Sequence, residues 1–253
     1  NGYTALAWAA RGSHPAVVEA LLGAGADARV VTADDETLLM HAVIGGDPAV
    51  IELLLAGAAA PEAQARDGTT ALMMAIKTGT DAAIQALLTA TQNVRIADEH
   101  GRTALWYAAE SGAVAAARGL LQKGAEVGLA DGSGMTPLHA AAQSGYPAMI
   151  RFLVQSGAGV DARTSTGNTP LIVAVAAGQR DAAAELLAAR CDLDARNDRG
   201  NSALHLAAEF GRGELVQLLL EAGASKRLIN EQRLRAYELA ERSHHDELAT
   251  SLR

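Results

Sequence analysis

One cysteine, Cys191, stands among 253 residues, so no disulfide can form within the chain and covalent cross-links play no part in its fold. Aromatic residues are only 3% of the sequence, which argues against a sandwich or barrel built round bulky side chains. Helices packed in thin layers suit this composition better. A basic excess is missing as well: 21 Lys and Arg face 29 Asp and Glu, a formal charge of −8, so nothing steers the chain towards phosphate backbones. Nucleic acid is not an expected partner. No apolar run approaches the roughly 18 residues of a membrane-spanning helix and no cleavable leader is visible, so membrane insertion is not expected either.

Signatures of catalysis are also wanting. Gly23-Ala24-Gly25 begins like a dinucleotide loop but lacks the third glycine and a preceding strand. There is no phosphate loop ending in Gly-Lys-Ser or Gly-Lys-Thr, no nucleophile elbow, and no His pair four apart around a Glu. His244-His245-Asp246-Glu247 has the composition of a metal cluster, but adjacent residues on a turn rarely converge on one ion. Cys191 has no activating neighbour in sequence and reads as a buried structural thiol. The expectation is no cofactor, no metal and no enzymatic activity.

What the chain does have is a phrase, cleanest in Gly134-Met135-Thr136-Pro137-Leu138-His139-Ala140-Ala141-Ala142, that returns every 33 residues. Its hydroxyl marker runs Thr4, Thr37, Thr70, Thr103, Thr136, Thr169, Ser202, and one more step lands on Arg235 in a faded copy. Two residues after each hydroxyl marker is Leu, from Leu6 to Leu204; five after it is Ala, from Ala9 to Ala207. A period between roughly 20 and 50 residues is the mark of a stacked solenoid, in which each unit is stable only against its neighbours. The marker suits a helix N-cap. Gly46, Gly79, Gly112, Gly145, Gly178 and Gly211, nine after their markers, suit left-handed helix ends; Ser13 takes that place in the first copy. A second helix follows with one apolar stripe, as in Ile150, Leu153 and Val154.

A T-P-L-H-x-A phrase at this period resembles the ankyrin repeat, and the likeness covers essentially the whole chain. The implied fold is an all-α, curved solenoid of helix-turn-helix-finger units, one elongated domain. Its repeats would be 1–31, 32–64, 65–97, 98–130, 131–163, 164–196 and 197–229, with a capping unit at 230–253. The loop between units would form a β-hairpin finger, and His139 and His205 would bond to adjoining loops. Departures carry expectations of their own. Asp35 replaces a finger glycine and should alter that turn; Thr91-Gln92 and Arg190-Cys191 replace Gly-Ala pairs and should end their helices differently. With no cap ahead of it, Leu6 should face water. The chain opens at Asn1 in mid-phrase, as a domain of a longer protein or a trimmed one would.

The resemblance also implies where a partner would bind: on a concave side formed by first helices and finger tips. The first-helix positions include Arg11, Lys77, Glu110, Gln143, Glu209 and Phe210, and the finger positions Arg66, Glu99, His100, Arg102 and Arg199. Trp8, His41, Met74, Tyr107 and Leu206 border them, with Trp106 one place earlier than Tyr107. Trp, Tyr and Arg are frequent interface anchors, so Trp106, Tyr107, Glu110 and Arg102 form the leading candidate cluster. The expected function is recognition of a protein or peptide, by a chain that is monomeric or part of a longer one. A dedicated inhibitor or immunity protein masking one enzyme, or a structural spacer or self-assembling array, are the alternatives. The expected location is cytoplasmic, or periplasmic or secreted after loss of an upstream leader; the Ala-rich, Arg-preferring composition points to a bacterial source.

Overall fold

The computed structural model describes residues 3–32 and 35–253; Asn1 and Gly2 of the first repeat, and Ala33 and Asp34 of the second repeat's finger, lie outside the described residues. The chain divides into two bodies, Asn1–Glu126 and Val127–Arg253. The first holds α1 (Ala5–Arg11), α2 (Pro15–Gly23), α3 (Leu38–Gly45), α4 (Pro48–Ala56), α5 (Ala71–Thr78), α6 (Asp81–Ala90), α7 (Ala104–Glu110) and α8 (Val114–Gln122). The second holds α9 (Pro137–Ser144), α10 (Pro147–Gln155), α11 (Pro170–Ala177), α12 (Arg180–Ala188), α13 (Ala203–Glu209), α14 (Gly213–Glu221), α15 (Ala236–Arg242) and α16 (Asp246–Leu252). The architecture is all-α, and among the described residues no helix is long and apolar enough to cross a membrane.

Each odd-numbered helix starts at a marker. The hydroxyls of Thr4, Thr37, Thr70, Thr103, Thr136 and Thr169 accept from the backbone N–H three residues on, satisfying a donor that the helix itself cannot. Met40 adds a variation, its sulfur accepting from the N–H of Thr37 at 3.4 Å. At Arg235 the cap is carried in reverse, the Glu238 carboxylate accepting the Arg235 N–H at 2.7 Å. The helices end as the glycines require: Gly46 and the five that follow it at the same spacing have φ from 68 to 85°, and Ser13 and His244 take the same left-handed turn at 56 and 63°.

The Leu and Ala positions make the core. All seven Leu are at most 2% exposed and all seven Ala at most 4%. Each such Leu contributes about 1.5–3 kcal/mol by burial, and the Ala beside it leaves room for the neighbouring helix pair. Leu6 is buried with Ala7, Ala9 and Ala10, contrary to the expectation that it faces water; on α1 it is Trp8 that stands out, 62% exposed. Gly119 of α8 lets two second helices close up, since a Cβ there would come within 2.4 Å of Leu88 Cδ2 on α6.

Fingers are tight turns. Their only β pairing among the described residues is the isolated bridges Val31–Thr37, Gln64–Thr70 and Ala97–Thr103, so the expected hairpin is reduced to a turn closed by main-chain bonds. Asp98 N–H donates to the Arg102 carbonyl at 3.0 Å and Gly101 N–H to the Asp98 carbonyl at 2.9 Å, a pair repeated in every described finger. Asp35 does not alter this turn: it adopts φ 58° and donates to Thr32 O at 3.0 Å, as glycine does elsewhere. Asp tolerates the left-handed region better than most residues, which is why the substitution is absorbed. Arg190 likewise takes φ 60° in place of glycine, so only Thr91, extended at φ −71° and ψ 129°, ends its helix differently.

On the opposite margin, carboxylates tie one outer loop to the next within each body. Glu62 Oε1 accepts the N–H groups of Gln92 and Asn93 at 2.6 and 2.8 Å, Asp161 Oδ1 that of Asp192 at 2.8 Å, and Asp194 Oδ1 that of Ser225 at 3.0 Å. His139 and His205 make the inner ties. Each Nδ1 accepts the N–H of its own marker, at 3.2 and 3.3 Å, and each Nε2 lies 3.0 and 3.2 Å from the carbonyls of Asn168 and Leu234 in the next finger. That pattern needs a neutral ring, and burial lowers both pKa values below 6.5.

Candidate functional site

In the first body, His41 and Tyr107, each four past its marker, lie under their own fingers, whereas at the same position Trp8 is exposed and Met74 half-buried. Tyr107 is 4% exposed; its hydroxyl donates to Asp98 Oδ2 at 2.5 Å, while Asp98 Oδ1 accepts the N–H groups of His100 and Arg102, both at 2.9 Å. Burial, and then the Asp98 hydrogen bond and charge, push the Tyr107 phenol up to about 12. Trp106, 2% exposed, packs edge-on to Tyr107 and carries the Arg102 guanidinium 4.3 Å from its ring centroid. His41 is fully buried, its Nε2 3.6 Å from Glu36 of the preceding finger. His41, Trp106 and Tyr107 therefore brace fingers against helices and offer no surface to a partner. The sequence reading counted them among contact residues; in the structure the finger folds over them and leaves them buried.

Other candidates are exposed or half-buried, and some of them meet. Arg66, Met74, Lys77 and Glu99 line a pocket of about 510 Å³ with Glu36 and Asp67. Lys77 Nζ lies 5.0 Å above the Tyr107 ring, and Arg66 pairs with Asp35 at 3.0 Å. His100 is exposed beside Glu99, 3.7 Å away. Trp8 stacks on Tyr3 at 5.1 Å, and Arg11 is exposed at the end of the same helix. Glu110 is half-buried and Arg102 half-buried with its cation on Trp106. Gln143, in the second body, is exposed and its carbonyl accepts from Gln179 Nε2 at 3.2 Å.

The second body is built differently at the same place. Four past the marker it carries Ala140, Val173, Leu206 and Leu239, short or aliphatic side chains that cannot reach up to a finger carboxylate. Above Leu206 and Leu239 opens a groove of about 930 Å³. One wall is formed by fingers, with Ser165, Thr166, Asn168, Asn197, Asn201 and Asn230; the other by first helices, with Leu206, Glu209, Phe210 and Arg242. Phe210 is 50% exposed, with the Arg212 guanidinium 5.6 Å from its ring. Sequence reasoning reached Arg199, Leu206, Glu209 and Phe210 but passed over the asparagines. Their signal was available: Asn at one and at five residues before consecutive markers puts amides side by side across adjoining fingers.

Among the described residues no three His, Cys, Asp or Glu converge to hold a metal ion. Cys191 is half-buried, and burial followed by the Asp161 charge pushes its thiol up to about 12, far from a nucleophile's range.

Comparison with known families places these elements. A model of ankyrin repeats (3 copies) matches residues 1–64, 39–131 and 126–197, and a model of ankyrin repeats (many copies) matches 186–240. No curated protein matches the chain.

Proposed function

The chain belongs to the ankyrin-repeat family, whose members are generally protein–protein interaction modules, and from that premise we propose that it binds a protein partner along its first helices and finger tips, without chemistry of its own. In the family's curved stack this would be the concave side. The observation that carries the reading is the open groove of the second body, where Phe210 stands half out of the surface among positions that the repeat does not dictate. An exposed aromatic ring flanked by Arg and carboxylate is the composition of an interface anchor.

Site-specific photo-cross-linking tests this. A benzoylphenylalanine introduced at Phe210, and separately at the exposed outer-helix residue Gln217, is irradiated in extract of the source cells, and each adduct is identified and reconstituted with purified protein. A single protein captured from position 210, and bound again when pure, is the expected result. Adducts from position 217 alone, or from neither, would overturn the reading.

A further inference from the structure

Within the first body, α1 and α2 pack on α3 and α4, and these in turn on α5 and α6, so each later helix pair has one face covered by the pair before it. The positions one, thirteen and seventeen past the marker make that face. They are Leu38, Val50 and Leu54 on α3 and α4, and Ala71, Ala83 and Leu87 on α5 and α6, all of them buried. On α1 and α2 the same positions hold Ala5, Val17 and Leu21, and there Ala5 is exposed, Val17 is 49% exposed and Leu21 is half-buried. One turn from Val17 the exposed Ala20 extends the face, and one turn from Ala5 so does Trp8. The first helix pair thus presents to solvent the surface that stacking buries in the pairs that follow it.

No charge stands on this face. Arg11 and Glu19, the charged residues of α1 and α2, lie seven and fifteen past the marker, positions that stay exposed or half-buried on every later helix pair and so fall outside the stacking surface. An uncharged, apolar surface of this kind marks an interaction site. The other side of a helix pair is built differently at the end of the chain. Three and six past the marker, Ala7 and Ala10 are buried on α1, but on α15 the same positions hold Glu238 and Glu241, both half-buried, with Glu241 paired to Arg253. Setting those carboxylates against Val17 and Leu21 would strip them of water without supplying a partner, which opposes head-to-tail stacking of one copy on another.

We propose that the α1–α2 face pairs with the same face of a second copy of this chain across a two-fold axis. Like-with-like pairing covers the apolar surface on both copies and closes at two. It continues the interface already present between helix pairs, the second copy's α1 and α2 taking the place that a preceding pair holds elsewhere. Helices of seven and nine residues side by side offer roughly 500 Å² on each copy and about 1,000 Å² in the pair, the lower edge for a specific interface. The dimer is therefore a weak one, with a Kd on the order of 10 μM. This surface shares no residue with the groove of the second body, so it adds a contact to the protein-binding reading without depending on it.

Sedimentation velocity of the full chain, from about 1 to about 300 μM, tests this. A shift from monomer to dimer with rising concentration, and no larger species, is expected. Val17→Glu, and separately Ala5→Glu, brings a carboxylate into the interface from both copies and should weaken the dimer at least roughly a hundredfold. Val31→Glu, at an apolar residue 48% exposed but outside the face, should leave it unchanged. A short bis-maleimide then locates the contact: in a Cys191→Ser chain, Ala20→Cys should give a covalent dimer that Val17→Glu abolishes, whereas Thr250→Cys on α16 should give none. Should Val17→Glu alter the circular dichroism of the monomer, the Ala5→Glu variant decides the matter. A monomer at every concentration, species that grow beyond two, a dimer indifferent to both Glu variants or equally weakened by Val31→Glu, or cross-linking through Thr250→Cys each overturn the proposal. The protein-binding reading survives any of these, because it answers to the adducts formed at Phe210.

Discussion

The Tyr107 hydroxyl donates to Asp98 Oδ2 at 2.5 Å, joining a first helix to the finger that precedes it. A hydrogen bond to a buried charge is worth about 1.5–3 kcal/mol, so Tyr107→Phe should lower stability by about that amount in urea unfolding. The pH dependence has a definite sign. The folded-state pKa of about 12 lies above the ordinary 10, so the protonated phenol stabilises the fold fully below pH 10, and this contribution is lost as pH rises from 10 towards 12. Tyr107→Phe should remove that alkaline decline.

Acid should act through the two buried histidines. Burial lowers the pKa of His139 and of His205, so the neutral rings stabilise the fold above pH 6.5 and the contribution is lost as pH falls through the lowered folded-state values. Protonation would set a new N–H at Nδ1 against the marker's own N–H. Thermal unfolding followed across this range should show a steeper acid decline for the native chain than for His139→Gln/His205→Gln, which should be less stable at neutral pH.

Six non-glycine residues among the described ones hold glycine's left-handed backbone, and two of them close second helices. Ala58 and Arg190 end their helices at φ 65 and 60°, where an L side chain costs roughly 1–2 kcal/mol. Part of that is recovered by the stiffer unfolded chain, so Ala58→Gly and Arg190→Gly should each stabilise by about 0.5–1 kcal/mol. Gly46→Ala, at φ 85°, should do the reverse. Denaturant midpoints would separate the three.

Cys191 should resist alkylation in the native chain. With its thiol pushed up to about 12, little thiolate forms near neutrality, so iodoacetamide should modify it slowly until denaturant unfolds the repeat around it. Rapid native labelling would contradict the burial seen here.

The repeat made most of the fold legible in advance. A fixed spacing of hydroxyl, Leu, Ala and Gly states where helices begin, what they bury and where they end, because each of those residues has a local physical task. The site was less legible. Register told which face Trp106, Tyr107 and His41 occupy, but not that Asp98 and Glu36 draw the fingers down over them; that depends on pairs in separate elements, five before and four after a marker or one before and four after. Where Leu206 and Leu239 replace such partners the fingers stay open, and a short apolar side chain in an alignment of repeats gives no hint that a groove lies above it. Asp35 and Arg190 were misjudged for another reason: neighbouring main-chain bonds impose the turn, and the side chain bears the strain.

Glu62, Asp161 and Asp194 reach forward 30 or 31 residues to grip the following outer loop. A grip of fixed reach tolerates a whole added or deleted 33-residue block, since each carboxylate then meets an equivalent loop. One inserted or lost codon between its ends would leave it holding the wrong amide. Gene lineages of this chain should therefore change length in entire modules, by duplication or loss, far more readily than by single residues.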